Sequence, residues 1–245
     1  FDVYSFDWRG QGLSTRMLSD RAKGFINDYG EYLLDLYEFI DKVVPSNANK
    51  PIYFLAHSMV AHIVLLYLKK FAMQVDGAVL SAPMIDIFTD PYPKWLVRLL
   101  IRIALITRCH HAVVPGSRKR LEREVHFDNN PLTSDPQRFL VEKKALATNP
   151  KMAADAITFA WLSATMKSID YLKTSDFLET ITTPILIVSA GADKVVSVSA
   201  QKEACCRLPN CRLTTILDSR HEILMETDVI RKIFWKEFRD FAGIE

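Results

Sequence analysis

Five short apolar runs, at residues 1–7, 52–56, 77–81, 185–190 and 212–217, constrain this chain more than any other feature. Most are nearly continuous in hydrophobicity rather than alternating, the pattern of strands covered on both faces. Stretches with helical periodicity lie between them. Strands and helices that take turns in this way build a mostly parallel sheet flanked by helices, an α/β fold. The clearest helical stretch covers residues 29–43, where Tyr32, Leu33, Leu36, Phe39, Ile40 and Val43 recur among charged residues. Asp28, with Glu31 three positions later, makes a capping box at its start. A run from Ile63 to Leu68 predicts a buried helix directly after the second strand, and an amphipathic helix over residues 228–241 closes the chain.

The rhythm breaks once. Residues 84–184 separate two strands that a single helix would ordinarily join, so an inserted helical subdomain is expected there. The expected division is a core made of residues 1–86 and 177–245, with a helical cap at residues 87–176. Inside the insertion, a helix over residues 95–107 carries a basic stripe of Lys94, Arg98 and Arg102 beside an apolar surface. Such a helix either buries its apolar side and turns the stripe to water, or lies on lipid. Peripheral membrane contact through residues 94–107 is therefore one expectation. Arg118, Lys119, Arg120 and Arg123 form a second basic cluster.

Whole-chain charge excludes some partners. A net charge of +2 among 31 basic and 29 acidic side chains is too balanced for nucleic acid to be the main ligand. Cys109, Cys205, Cys206 and Cys211 contain no C-x-x-C pair, so the reading is four free cysteines, no metal site and a reducing compartment. That places the protein in the cytoplasm, extending at most to the inner membrane's surface. No cofactor is implied, and the oligomeric state leaves no mark on the sequence. No run approaches the ~20 apolar residues of a membrane-spanning helix; Arg98 and Arg102 interrupt the best candidate. The chain opens at Phe1, inside a predicted strand and without a methionine, and so reads as a fragment of a longer protein.

In an open parallel sheet, ligands collect at the carboxyl ends of the strands, which directs attention to the polar residues just beyond them. Ser58 follows the strand ending at Ala56, Asp193 sits in the turn after Ala190, and His221 follows the last strand. A serine hydroxyl is a weak nucleophile that needs a base such as His221 to take its proton. An aspartate fixes the imidazole's tautomer and stabilises its charged form. Asp218 lies only three residues before His221 on the same loop and is read as structural. Ser58 also has the spacing of a Gly-x-Ser-x-Gly elbow, with Ala56 and Val60 where the glycines would stand.

Beyond these residues, the segment Asp7-Trp-Arg-Gly-Gln-Gly-Leu-Ser14, the elbow Ala56-His-Ser-Met59, the strand end Leu80-Ser-Ala-Pro-Met84 and the loop Arg220-His-Glu-Ile-Leu224 occur in family order. Together they resemble the monoacylglycerol lipase and lysophospholipase branch of the α/β-hydrolases, its bacterial lysophospholipase members above all. The resemblance implies a catalytic triad of Ser58, Asp193 and His221, with the backbone N–H of Met59 as one oxyanion donor. It implies hydrolysis of a carboxylic ester of a single-chain lipid, and a cap over the acyl-binding cleft. Family members carry a His-Gly loop that gives a second oxyanion donor; this chain has no His-Gly dipeptide, and losing one donor costs ~10²- to 10³-fold in rate. They also carry a strand between the first two predicted here, so residues 1–7 and 52–56 either pair directly or leave open edges. Val60 and Ala61 replace two glycines, and a β-branched residue there is expected to push the helix outward or spoil the serine's presentation. The alternatives are a small-ester esterase, acyltransferase or peptidase on the same triad, or a relative without activity.

Overall fold

A computed structural model describes residues 1–45, 50–71, 75–117, 126–154 and 156–244. In chain order the strands are β1 (Lys23–Gly24), β2 (Tyr53–His57), β3 (Gly77–Ser81), β4 (Ala156–Ile157), β5 (Ile185–Ala190) and β6 (Cys211–Ile216). The helices are α1 (Tyr29–Val43), α2 (Ser58–Lys70), α3 (Lys94–Ile106), α4 (Pro136–Thr148), α5 (Phe159–Leu172), α6 (Val198–Arg207) and α7 (Asp228–Ala242). Arg118, Lys119, Arg120 and Arg123 lie outside the described residues.

The chain divides into two compact units, one of residues 1–46, 89–126 and 142–170, the other of residues 47–88, 127–141 and 171–245. The second contains a four-stranded, fully parallel sheet in the order β2-β3-β5-β6. Every residue of β3 and β5 is buried, in keeping with sequences that are apolar but for Ser81 and Ser189. Neighbouring residues of β2 point to opposite faces. Phe54 stacks edge-on against Tyr67 of α2, and Tyr53 against Phe241 of α7, so the two helices cover opposite sides of the sheet. Gly77 is a glycine for this reason: a Cβ there would lie 2.7 Å from the Phe241 ring.

In the first unit, α1 starts as its sequence predicts. The Asp28 side chain accepts from the Gly30 N–H at 2.7 Å, while Glu31 reaches back to the N–H of Asn27 at 3.2 Å, one residue earlier than in a strict capping box. Arg9 clamps two carboxylates one turn apart on α1, Glu31 at 2.6 Å and Asp35 at 2.5 Å. Arg16 closes the Gly10–Gly12 turn by bonding both glycine carbonyls and reaches the carbonyls of Met152 and Ala153. β1 and β4 form a parallel pair of two residues each. The expected division put residues 1–46 with the core; Arg16 and the β1–β4 pair join them to residues 142–170 of the same compact unit.

Two expectations are corrected. Residues 1–7 form no strand: they enter no ladder among the described residues, Phe1 and Val3 are exposed, and Phe6 is held instead by ring contact with Trp8 and Phe39. Alternating apolar residues make a strand only when a neighbour supplies the backbone partners. β2 accordingly ends the sheet order, with Leu55 42% exposed. The cysteines are not all free either. Cys205 near the end of α6 and Cys211 at the start of β6 form a disulfide, because the tight connection brings their Cα atoms to 5.4 Å; Cys109 and Cys206 are free.

The helix expected at residues 95–107 is α3. Only Ile101 and Ala104 on it are buried; Trp95, Leu99, Leu100, Ile103 and Ile106 are exposed. Its basic stripe is not uniform, since Arg98 makes a two-pronged ion pair with Asp170 at 2.7 Å. No helix among the described residues is long and apolar enough to cross a membrane.

Candidate active site

Ser58 is the residue at which β2 turns into α2, and its φ is 51°. A residue with a side chain in this left-handed region costs about 1–3 kcal/mol, so the surrounding structure must hold it there. The holding contacts come from the turn after β3. The Met84 N–H donates to the Ser58 carbonyl at 3.1 Å, and the Met84 carbonyl accepts from His62 Nδ1 at 2.9 Å, four residues along α2. Gln201 Nε2 donates to the Pro83 carbonyl at 3.0 Å, and the Ala82 N–H donates to Val188 of β5 at 2.8 Å. Val60 is partly exposed on the first turn of α2. The bend expected to suffer from that valine is present with the valine in place.

Asp193 and His221 arrive from the ends of β5 and β6. Gly191 lets the two loops approach: an added Cβ would lie 2.5 Å from the Leu217 carbonyl oxygen and 2.6 Å from its Cα, where no flexible side chain can yield. The backbones are stitched directly, Gly191 N–H to Ile216 O at 2.8 Å and Ala192 N–H to Ser219 O at 2.9 Å. Asp193 then divides its carboxylate. One oxygen accepts from the N–H groups of Val195 and Val196 at 2.7 and 3.0 Å, and the other faces His221 Nδ1 at 2.7 Å. Both side chains are almost fully enclosed, Asp193 at 0% and His221 at 5% exposure.

The proton positions follow from this geometry. A carboxylate only accepts, so His221 carries its hydrogen on Nδ1, leaving the Nε2 lone pair facing Ser58 Oγ at 3.0 Å. The structure thus brings Ser58, His221 and Asp193 into one hydrogen-bonded chain. Asp218 stays out of it, exposed on the loop after β6. Met59 is the second residue of α2, in the first helical turn, where N–H groups have no partner within the helix.

Three residues around the site were not singled out in the sequence. The His57 ring lies 4.7 Å from that of His221 and donates from Nδ1 to the Ser81 carbonyl at 3.1 Å. Desolvation, then the nearness of His221, press its pKa down to about 3, so it stays neutral beside the other imidazole. Burial likewise lowers His62 to about 4, only partly offset by its bond to Met84. A histidine within an apolar helical run was the available signal for His62. Nothing in the sequence pointed to the role of Gln201, whose partners lie in distant turns.

A family described as "Serine aminopeptidase, S33" matches the chain over residues 1–228. The chain is an α/β-hydrolase of that family. The hydrolase is 29% identical over 249 residues to a probable lysophospholipase L2 of Haemophilus influenzae, covering 100% of this chain and 76% of the relative. It is 28% identical over 252 residues to lysophospholipase L2 of Escherichia coli, covering 98% and 72%. Among solved structures, a soluble variant of monoglyceride lipase from Saccharomyces cerevisiae, in complex with a substrate analog, superposes with a TM-score of 0.74. That match has 18% identity over 96% of this chain and 74% of the other. The Paleococcus ferrophilus monoacylglycerol lipase gives a TM-score of 0.72 at 16% identity over 98% and 82%. At such identities the structural likeness establishes the fold. With the sequence relatives, it puts the hydrolase in the lysophospholipase and monoacylglycerol lipase branch.

Proposed function

We propose that this hydrolase cleaves the carboxylic ester of a single-chain lipid, a lysophospholipid or monoacylglycerol, through an acyl-enzyme intermediate on Ser58. The observation that carries the reading is the chain from Ser58 Oγ to His221 Nε2 at 3.0 Å and from His221 Nδ1 to Asp193 at 2.7 Å, with Ser58 at φ 51°. The substrate class draws support from the names of its relatives, lysophospholipase L2 and monoglyceride lipase.

In this mechanism His221 Nε2 takes the Ser58 proton as Oγ attacks the ester carbonyl carbon. The carbonyl oxygen becomes an oxyanion that accepts from the Met59 N–H. Asp193 stabilises the imidazolium, and neutral His57 adds no opposing charge beside it. His221 then gives its proton to the leaving alcohol, and the C–O bond to that alcohol breaks. Water activated by the same histidine releases the fatty acid. The exposed apolar residues of α3, with Lys94 and Arg102 beside them, are read as the part that meets the lipid surface.

The test is a panel of lysophosphatidylcholine, monoacylglycerol, short p-nitrophenyl esters and aminoacyl p-nitroanilides, each assayed with wild type and Ser58→Ala. Fatty-acid release from the two lipids, abolished in the variant, is expected. A preference for short esters or anilides would replace the lipid reading by an esterase or peptidase on the same residues.

A further inference from the structure

Glu226 is a carboxylate with 0% exposure, and the mechanism above gives it no role. Its partners are hydrogen-bond donors. Oε1 accepts from the Arg220 N–H at 2.8 Å; Oε2 accepts from the Ser134 N–H at 3.0 Å, the Ser134 hydroxyl at 2.5 Å and the Thr227 N–H at 3.3 Å. All four are donors, one on Oε1 and three on Oε2, and a carboxylate, which only accepts, suits such surroundings. A carboxylate buried this completely is rare unless its bonds are satisfied, and Ala at this position would orphan several donors at once.

The bonds join two segments of the same unit, the loop that carries His221 and the turn at residues 130–134. Around Glu226 the segments are laced together. Arg220 reaches the carbonyls of Asn130 and Thr133 at 3.0 and 2.9 Å, Glu222 N–H donates to Leu132 O at 2.8 Å, and Thr133 Oγ1 donates to Met225 O at 2.7 Å. His221 itself donates its N–H to Pro131 O at 3.4 Å. Arg220, whose N–H is held by Glu226, is the residue immediately before His221. The imidazole must meet two partners at once, so its backbone position is set on both sides.

We propose that Glu226 is a positioning residue for His221: its carboxylate fixes the histidine loop against residues 130–134, and thereby the line from Asp193 to Ser58. This rests on the hydrolase reading of Ser58. Gln at this position keeps the shape but turns an amide N–H₂ toward donors, so the loop shifts while the sheet stays intact. A misplacement of about 1 Å at a reacting group costs on the order of 10²-fold in rate.

The experiment is the kinetics of covalent labelling by a fluorophosphonate, with wild type, Glu226→Gln and Ser134→Ala, alongside thermal unfolding of each. For Glu226→Gln the saturating rate constant is expected to fall about 10- to 100-fold with an unchanged half-saturating concentration. Ser134→Ala, which removes one of the four bonds, is expected to lower it a few-fold and keeps the test valid should Glu226→Gln fail to fold. A purely structural role would reduce the amount of protein labelled and leave the rate constant of the folded fraction unchanged; that result overturns the proposal. Where Glu226→Gln does not fold, an unchanged rate constant in Ser134→Ala overturns it. A wild type that does not react at all overturns the hydrolase reading and this proposal together, whereas a reactive wild type with an equally reactive Glu226→Gln overturns this proposal alone.

Discussion

Replacing His62 by glutamine should flatten the fall in stability expected of this protein in mild acid. His62 is fully enclosed on α2, and its pKa is lowered to about 4 from an unfolded value of 6.5. Between those values the unfolded chain binds the proton and the folded one does not, so stability falls as pH drops below about 6.5 and the loss saturates below about 4. The whole difference, about 2.5 pKa units, corresponds to about 3 kcal/mol; by pH ~5 roughly 2 kcal/mol of it is already lost. Glutamine stays neutral and keeps an N–H to offer the Met84 carbonyl, which His62 reaches at 2.9 Å. Urea unfolding of both proteins at pH ~7.5 and ~5 is the assay. The variant is expected to start less stable from altered packing, yet to lose about 2 kcal/mol less across the interval. His57 contributes in the same direction to both proteins and cancels in the comparison. Equal losses would refute the claim that burial keeps His62 neutral.

Asp193→Asn should lower kcat by about 10³- to 10⁴-fold, since an amide can hold the wrong imidazole tautomer, while Asp218→Asn stays within about twofold; ester hydrolysis by both variants checks it. Gly191→Ala forces a Cβ to within 2.6 Å of Leu217 backbone atoms and should cost about 1–3 kcal/mol in denaturant unfolding, with a fall in kcat as the Asp193 and His221 loops separate. Ile106→Asp on α3, at a side chain 82% exposed, should weaken co-sedimentation with phosphatidylglycerol vesicles by about tenfold or more and leave thermal stability unchanged. Unchanged vesicle binding would remove α3 from the lipid surface.

Much of this molecule could be read before its coordinates, for physical reasons that differ from element to element. The strands β3 and β5 announce themselves because burial on both faces leaves them apolar but for one serine each, and α1 because an amphipathic stripe and an acidic cap coincide. Ser58, Asp193 and His221 could be singled out together because the strands of a parallel sheet all end on the same side. Residues 1–7 carried the composition of a strand without its partner, and pairing is not a property of one segment. The Cys205–Cys211 bond was hidden because six residues of separation match no motif, and only the turn between α6 and β6 brings the sulfurs together. Val60 was weighed as a single side chain in a crowded bend, whereas the bend is held by Met84, His62 and Gln201 from outside it. Glu226 drew no notice in the sequence, since two of its four donors come from Ser134, some ninety residues earlier.

Everything proposed for the hydrolase depends on Ser58 being a nucleophile activated by His221. Mass spectrometry after treatment with a fluorophosphonate tests it most directly. One adduct per chain is expected, on the peptide that contains Ser58, absent in Ser58→Ala and formed far more slowly in His221→Ala. An unlabelled wild type, or a label that persists in Ser58→Ala, would contradict it.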